Sequence, residues 1–241
     1  MKKALILLLL LLAAGCGGNQ KEKIVAFGDS NTQGANWSLH HYATSEKWVN
    51  LLGNSLRGEY NIINAGIAGE TTEDARYRFE KNVLDNKPNY LFIMFGTNDA
   101  AIFTGNVPRV SKERFKENLM YFVESSKDRG IQPVLMTCLP LIEGTNHSLF
   151  YYSIYDPKAF EQVGGARAWH NSYNEIVRET AKETNVPLID NWKAFVKEAG
   201  GDTDKKLIES GLIDPSGNHM TPKGARLVYH EINDHGYIQE H

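Results

Sequence analysis

Lys23-Ile24-Val25-Ala26-Phe27-Gly28-Asp29-Ser30-Asn31-Thr32 is the stretch on which the fold turns. A short apolar run reaches a glycine with no polar alternation, as a strand buried on both faces does before a tight turn. Comparable runs follow at Tyr60 to Asn64, Leu91 to Phe95, Pro133 to Cys138 and Val186 to Ile189. Between them, apolar residues recur at helical spacing: Phe115, Leu119, Phe122 and Val123, then Trp169, Tyr173, Ile176 and Val177. Ser111 stands where the first of these helices needs an N-cap, and Gly130 where it needs a left-handed stop. Thr221 followed by Pro222 opens the last helix. Strands alternating with helices imply right-handed crossovers and a sheet covered on both faces. The expected fold is α/β: a single doubly wound, flavodoxin-like, three-layer domain with a mainly parallel five-stranded sheet. No repeat or Pro/Ser-rich linker divides it, and Leu141 to Ala168 is a long segment without clear period.

With 241 residues, 41% of them hydrophobic, the chain can build one sizeable core, which excludes the disordered and fibrous classes. Lys and Arg number 26 against 29 Asp and Glu, with no basic run after Lys3, so nucleic acid is not an expected partner. Met1-Lys2-Lys3 followed by the apolar run Ala4 to Ala14 reads as an export signal, too short to span a bilayer. The run ends in Leu12-Ala13-Ala14-Gly15-Cys16, which resembles the cleavage box of bacterial lipoproteins, with Ala13 where Leu is more common. The expected organisation is a signal peptide over residues 1–15, a lipidated Cys16 with a polar tether over 16–22, and a folded domain over 23–241. The mature protein is then exported and held in the cell envelope, reaching the membrane through its N-terminal lipid. Only Cys138 remains beside the anchored Cys16, so packing rather than a disulfide must stabilise it.

Open α/β sheets bind ligands beyond the carboxyl ends of their strands. Four segments fall at such ends or in the closing loop: Gly28 to Thr32, Asn64 to Thr71, Gly96 to Asp99, and Asp214 to His219. A serine hydroxyl needs a neighbouring base to become a nucleophile, and Ser30 sits where the Gly28 turn lifts it above the sheet. His219 is the candidate base, with Asp214 in the same loop to hold its tautomer. The Ser30 and Gly69 backbone N–H groups and the Asn98 carboxamide are candidate oxyanion donors. Glycine at 69 allows close approach to the main chain, and Thr71-x-x-Asp74 places it just ahead of a helix start.

The order Gly-Asp-Ser, then Asn-x-Gly-x-x-Gly-x-Thr, then Gly-x-Asn-Asp, then an Asp shortly before a His resembles the SGNH hydrolases, or GDSL-type esterases and lipases, from Lys23 to about His235. The resemblance implies a serine-dependent ester hydrolase: Ser30 as nucleophile, Ser30, Gly69 and Asn98 as oxyanion hole, His219 as base and Asp214 as its partner. It departs from the family in one place. The acid generally lies three residues before the histidine, where this chain has Ser216, which cannot carry the charge. Asp214 lies five before, so two extra residues must bulge out, with Pro215 keeping Asp214 out of helical conformation. Thr221-Pro222-x-Gly224 resembles the stretch after the histidine in carbohydrate acetylesterases of this family.

Other candidates read as structural. Asp29 and Asp99 are expected to tie down their own turns, Cys138 to be a small buried hydrophobe, and His40-His41 and His230 with His235 to hold no metal. No cofactor is implied. An α/β-hydrolase elbow needs a second glycine where this chain has Thr32, and a flavin-binding module leaves Asn98 and His219 without a role. A non-catalytic envelope module that only binds an ester or glycan remains a rival, supported by the displaced acid. The rings of Phe150 to Tyr155, with Trp37, suit sugar faces, or else close the core beneath a long loop. The expected function is hydrolysis of short-chain, acetyl-type esters on a small-molecule or glycan substrate. Lysophospholipase or thioesterase action is the alternative. With a histidine pKa near 7, activity is expected to fall in acid and to survive chelators.

Overall fold

The computed structural model describes residues 21–34, 42–56, 58–103, 105, 107–145 and 149–238. The proposed signal peptide, Cys16, most of the tether, Trp37 and His40-His41 lie outside the described residues.

Five strands form one sheet in the order β2-β1-β3-β4-β5, every neighbouring pair parallel. They are β1 (Glu22–Gly28), β2 (Tyr60–Gly66), β3 (Tyr90–Met94), β4 (Gln132–Met136) and β5 (Leu188–Ile189). This is the flavodoxin-like order, and the sheet is parallel throughout rather than mainly so. Strand β1 begins one residue ahead of the expected start, and β5 keeps only the last two residues of its apolar run.

Alternation along the strands sorts the core into two layers. Ile24 and Ala26 of β1 face one side with Phe92, Met94, Val134 and Met136. Over them pack α2 (Trp48–Ser55), α6 (Asn191–Ala199), α7 (Asp204–Ser210) and α8 (Pro222–Asp234) through Trp48, Leu52, Phe195, Leu207 and Val228. Val25 and Phe27 face the other side with Leu91 and Ile93. There α3 (Thr72–Asn82), α4 (Lys112–Lys127) and α5 (Ala166–Thr184) close the layer through Phe79, Phe115, Leu119, Phe122, Tyr173 and Val177. Phe27 is the hub, its ring 5.1 Å from Phe95, 5.4 Å from Phe122 and 5.5 Å from Phe79.

The expected caps form. The Ser111, Thr71 and Thr221 side chains accept from the backbone N–H groups of Arg114, Asp74 and Gly224. Gly130 is left-handed at φ 72°, but regular helix stops earlier, at Lys127. Two irregular turns intervene, their N–H groups bonding back to Ser126 and Lys127.

The long segment from Leu141 to Ala168 packs through Leu141, Tyr151, Phe160 and Ala166, a small core of its own that Ile102 completes. It also supports the closing loop, since Ile142 N–H donates to Gly217 O at 2.9 Å and Phe150 N–H to Pro215 O at 3.2 Å. Gly217 has φ +82°, and a Cβ there would lie 2.4 Å from Ile142 O, so any other residue would part the two loops.

Candidate active site

The chain order reverses between β1 and β3, the switch point at which ligands bind in such sheets. Ser30 follows β1 there, as the first residue of the one-turn helix α1 (Ser30–Gln33). Asp29 is its N-cap and accepts from Asn31 N–H at 2.9 Å. The turn is held from below by Trp48, whose indole N–H donates to Asn31 O at 3.0 Å. From the side, Asn64 donates its carboxamide to Thr32 O at 3.0 Å.

His219 reaches this turn from the far end of the chain, its Nε2 2.9 Å from Ser30 Oγ. The Asn31 carboxamide fixes the approach by donating to Asn218 O at 3.0 Å. Ser30 is 4% and His219 3% exposed, and Asp214 is fully buried. Burial pushes the imidazole down to about 4, below the value near 7 expected from the sequence. Loss of water disfavours the imidazolium, so the ring is neutral and able to accept a proton throughout the neutral range.

Ser216, which the sequence reading set aside, touches both Asp214 and the histidine. Ser216 Oγ lies 2.8 Å from His219 Nδ1, and the Ser216 hydroxyl donates to Asp214 Oδ1. The Ser216 backbone N–H donates to the same oxygen at 2.8 Å. The expected bulge is therefore present, closed by Asp214 N–H donating to His219 O at 2.8 Å, and it turns the serine hydroxyl toward the ring.

The loop after β2 forms the opposite wall. Ile67 N–H donates to Gly28 O at 3.0 Å and Ala68 N–H to Gln33 Oε1 at 3.2 Å, which seats the loop on the turn that carries Ser30. Asn98 donates one amide hydrogen to Glu70 O at 2.9 Å, leaving the second available. Gly69 is left-handed at φ +80°, with open space where a Cβ would be. Two arginines that carried no sequence signal hold this wall. Arg109 donates to Gly69 O at 2.8 Å, and Arg78 spans Glu70, Ala65 O and Gly28 O.

Beneath the site Asp99 departs from expectation. It does not tie its own turn but accepts from the Thr72 N–H at 2.9 Å and the Thr72 hydroxyl at 2.5 Å, 27 residues away, at the start of α3. Burial raises Asp29 to about 7, with the nearby Asp99 adding to the rise, and burial raises Asp99 to about 6. Cys138 is buried and its thiol is pushed up by that burial. The aromatic segment divides between its two readings. Tyr151 is buried core, whereas Tyr155 stacks on it at 4.3 Å and meets the exposed Phe103 at 5.2 Å.

The profile of the GDSL-like Lipase/Acylhydrolase family matches residues 26–227. The chain belongs to this family. The uncharacterised lipoprotein YqeF of Bacillus subtilis (strain 168) is 61% identical over 228 residues, 94% of each chain. The probable rhamnogalacturonan acetylesterase YesY of the same organism is 26% identical over 214 residues, 84% of this chain and 82% of that one. Among solved structures, the lipase/acylhydrolase from Enterococcus faecalis superposes with a TM-score of 0.66 at 24% identity, covering 89% of this chain and 95% of that chain. The GDSL-like hydrolase fold and the esterase class are thus shared across the described domain.

Proposed function

We propose that the protein is an envelope-anchored serine esterase that removes short acyl groups, acetyl above all, from carbohydrate. The observation that carries this reading is the 2.9 Å contact between Ser30 Oγ and His219 Nε2, made across 189 residues of sequence. Ser30 Oγ attacks the ester carbonyl carbon as its proton passes to Nε2. The tetrahedral oxyanion is held by the Ser30 and Gly69 N–H groups and by the free amide hydrogen of Asn98. Collapse expels the alcohol, which takes the proton from Nε2 and leaves an acyl-serine. Water then gives a proton to Nε2 and attacks the acyl carbon; the bond to Oγ breaks as Nε2 returns that proton to Oγ, releasing the carboxylic acid and restoring Ser30 and His219.

Two further facts support the substrate class. The relative YesY is named a probable rhamnogalacturonan acetylesterase, and the half-buried Tyr155 offers a ring face with a polar end beside the exposed Phe103. The relative YqeF is named a lipoprotein, in keeping with lipidation at Cys16. Hydrolysis of p-nitrophenyl esters of increasing chain length, followed by acetate release from acetylated polysaccharide, tests the proposal. Acetyl esters should turn over fastest, and Ser30→Ala should lose activity by about 10⁴-fold or more. Rates that climb with chain length, or turnover of lysophospholipid in preference, would favour the acyl-hydrolase alternative instead.

A further inference from the structure

We propose that Ser216 is a positioning residue of this esterase, a reading that rests on the Ser30–His219 chemistry above. Its hydroxyl is the bridge through which the Asp214 carboxylate orients His219, so the working unit is a four-membered chain, Ser30–His219–Ser216–Asp214.

Hydrogen counting sets the direction of that chain. Ser216 has one hydroxyl hydrogen and three neighbours that could take it: Asp214 Oδ1, Asn218 Oδ1 at 3.0 Å and His219 Nδ1 at 2.8 Å. Asp214 Oδ1 already accepts the Ser216 N–H, as an ionised carboxylate does, and a hydrogen bond to an ionised acceptor is roughly twice as strong as one to a neutral acceptor. The hydrogen therefore goes to Asp214. Ser216 Oγ is left facing Nδ1 with a lone pair, and Nδ1 must carry the hydrogen. The tautomer follows: Nε2 is unprotonated, and it is the nitrogen that meets Ser30 Oγ.

When Nε2 takes the serine proton, the imidazolium charge is met along Nδ1–H to Oγ–H to the carboxylate. Each hydrogen already points the right way, so nothing reorganises during attack. The backbone secures the bridge. Ser216 N–H also bonds Asp214 Oδ1, Gly217 N–H donates to Asp214 O at 3.0 Å, and Ile213 pairs with Met220 beyond the turn. The residue three before the histidine thus touches the ring at Nδ1, although it carries no charge.

The test uses the full-length protein and p-nitrophenyl acetate. Ser216→Ala should lower kcat by about 10²-fold, part of what an oriented general base contributes, with KM nearly unchanged. Asp214→Asn should fall comparably, and the double variant should be no worse than the more impaired single, because both act through one chain. Thermal melts establish that each variant is folded. Wild-type kcat in Ser216→Ala, a loss confined to KM, or losses that multiply in the double variant would overturn the bridge. Ser30→Ala separates the two readings: inactive alongside an unimpaired Ser216→Ala, it sinks the bridge alone, whereas an active Ser30→Ala sinks the esterase itself.

Discussion

Asp29 stands next to the proposed nucleophile and holds its turn with a carboxyl that burial raises to about 7, from an ordinary 3.8. Between those two values the folded protein binds a proton that the unfolded chain releases. Stability contributed by this group is therefore present in acid and declines as pH rises toward 7. His219 and His170 act with the opposite sign. Burial pushes both down to about 4, so the unfolded chain takes up their protons first, and acid below about 6.5 works against the fold. Asp29→Asn keeps an oxygen to cap Asn31 and removes the charge. It should stabilise the protein by up to a few kcal/mol at pH 8, an advantage that shrinks to nothing near pH 4. Melts at the two pH values check it, and equal melting shifts at both would show that the charge of Asp29 carries no penalty. The contact between Ser30 and His219 was legible in the sequence, the first from its place at a strand end and the second from its place in the closing loop, whereas the bond from Asn98 to Glu70 O was not. The proposed role of Ser216 was not legible either, since a hydroxyl signals no charge and its aim depends on a bulge set by contacts with Ile142 and Phe150.

At the scale of elements, the start of α3 decides how firmly the proposed oxyanion wall is held. Thr71 and Asp74 cap each other reciprocally, with Asp74 Oδ2 accepting from Thr71 N–H at 2.9 Å, while Asp99 takes the next N–H. These bonds begin two residues after Gly69, so loosening them loosens the loop that carries it. Thr71→Ala should cost about 1 kcal/mol, or roughly 2–4 °C in Tm for a domain of this size. Its kcat on p-nitrophenyl acetate should fall several-fold at a temperature where the fold is intact. Thermal melts and initial rates measure both, and unchanged kcat with lowered Tm would mean that the cap serves the helix alone. This cap, like those of α4 and α8, could be read from sequence because one side chain and its spacing specify it. The helices α2 and α7 could not, being 8 and 7 residues long, too short for an apolar period to repeat. The two-residue β5 fell short of its apolar run because it lies at the sheet edge with β4 alone as neighbour.

For the whole molecule, the direction of β1 fixes where substrate can come from. The strand is entered at Glu22 and left at Gly28, two residues before Ser30. Its seven residues span about 23 Å at the usual rise for a strand. The tether thus joins at one end of the sheet and the proposed site opens at the other. With Cys16 lipidated, the five residues from Gly17 to Lys21 extend at most about 18 Å, too little to carry the domain round so that its mouth meets the same bilayer. On the proposed anchoring, the site would face outward, toward polymer beyond the membrane, with the lipids of the anchoring leaflet at the wrong pole. The lipidated protein reconstituted in vesicles should therefore hydrolyse a soluble acetyl ester as fast as the same protein in detergent micelles. It should also spare ester lipids placed in its own vesicle. A several-fold loss on reconstitution, or rapid hydrolysis of those lipids, would mean that the mouth lies against the bilayer, and lysophospholipid would replace acetylated glycan as the substrate to pursue.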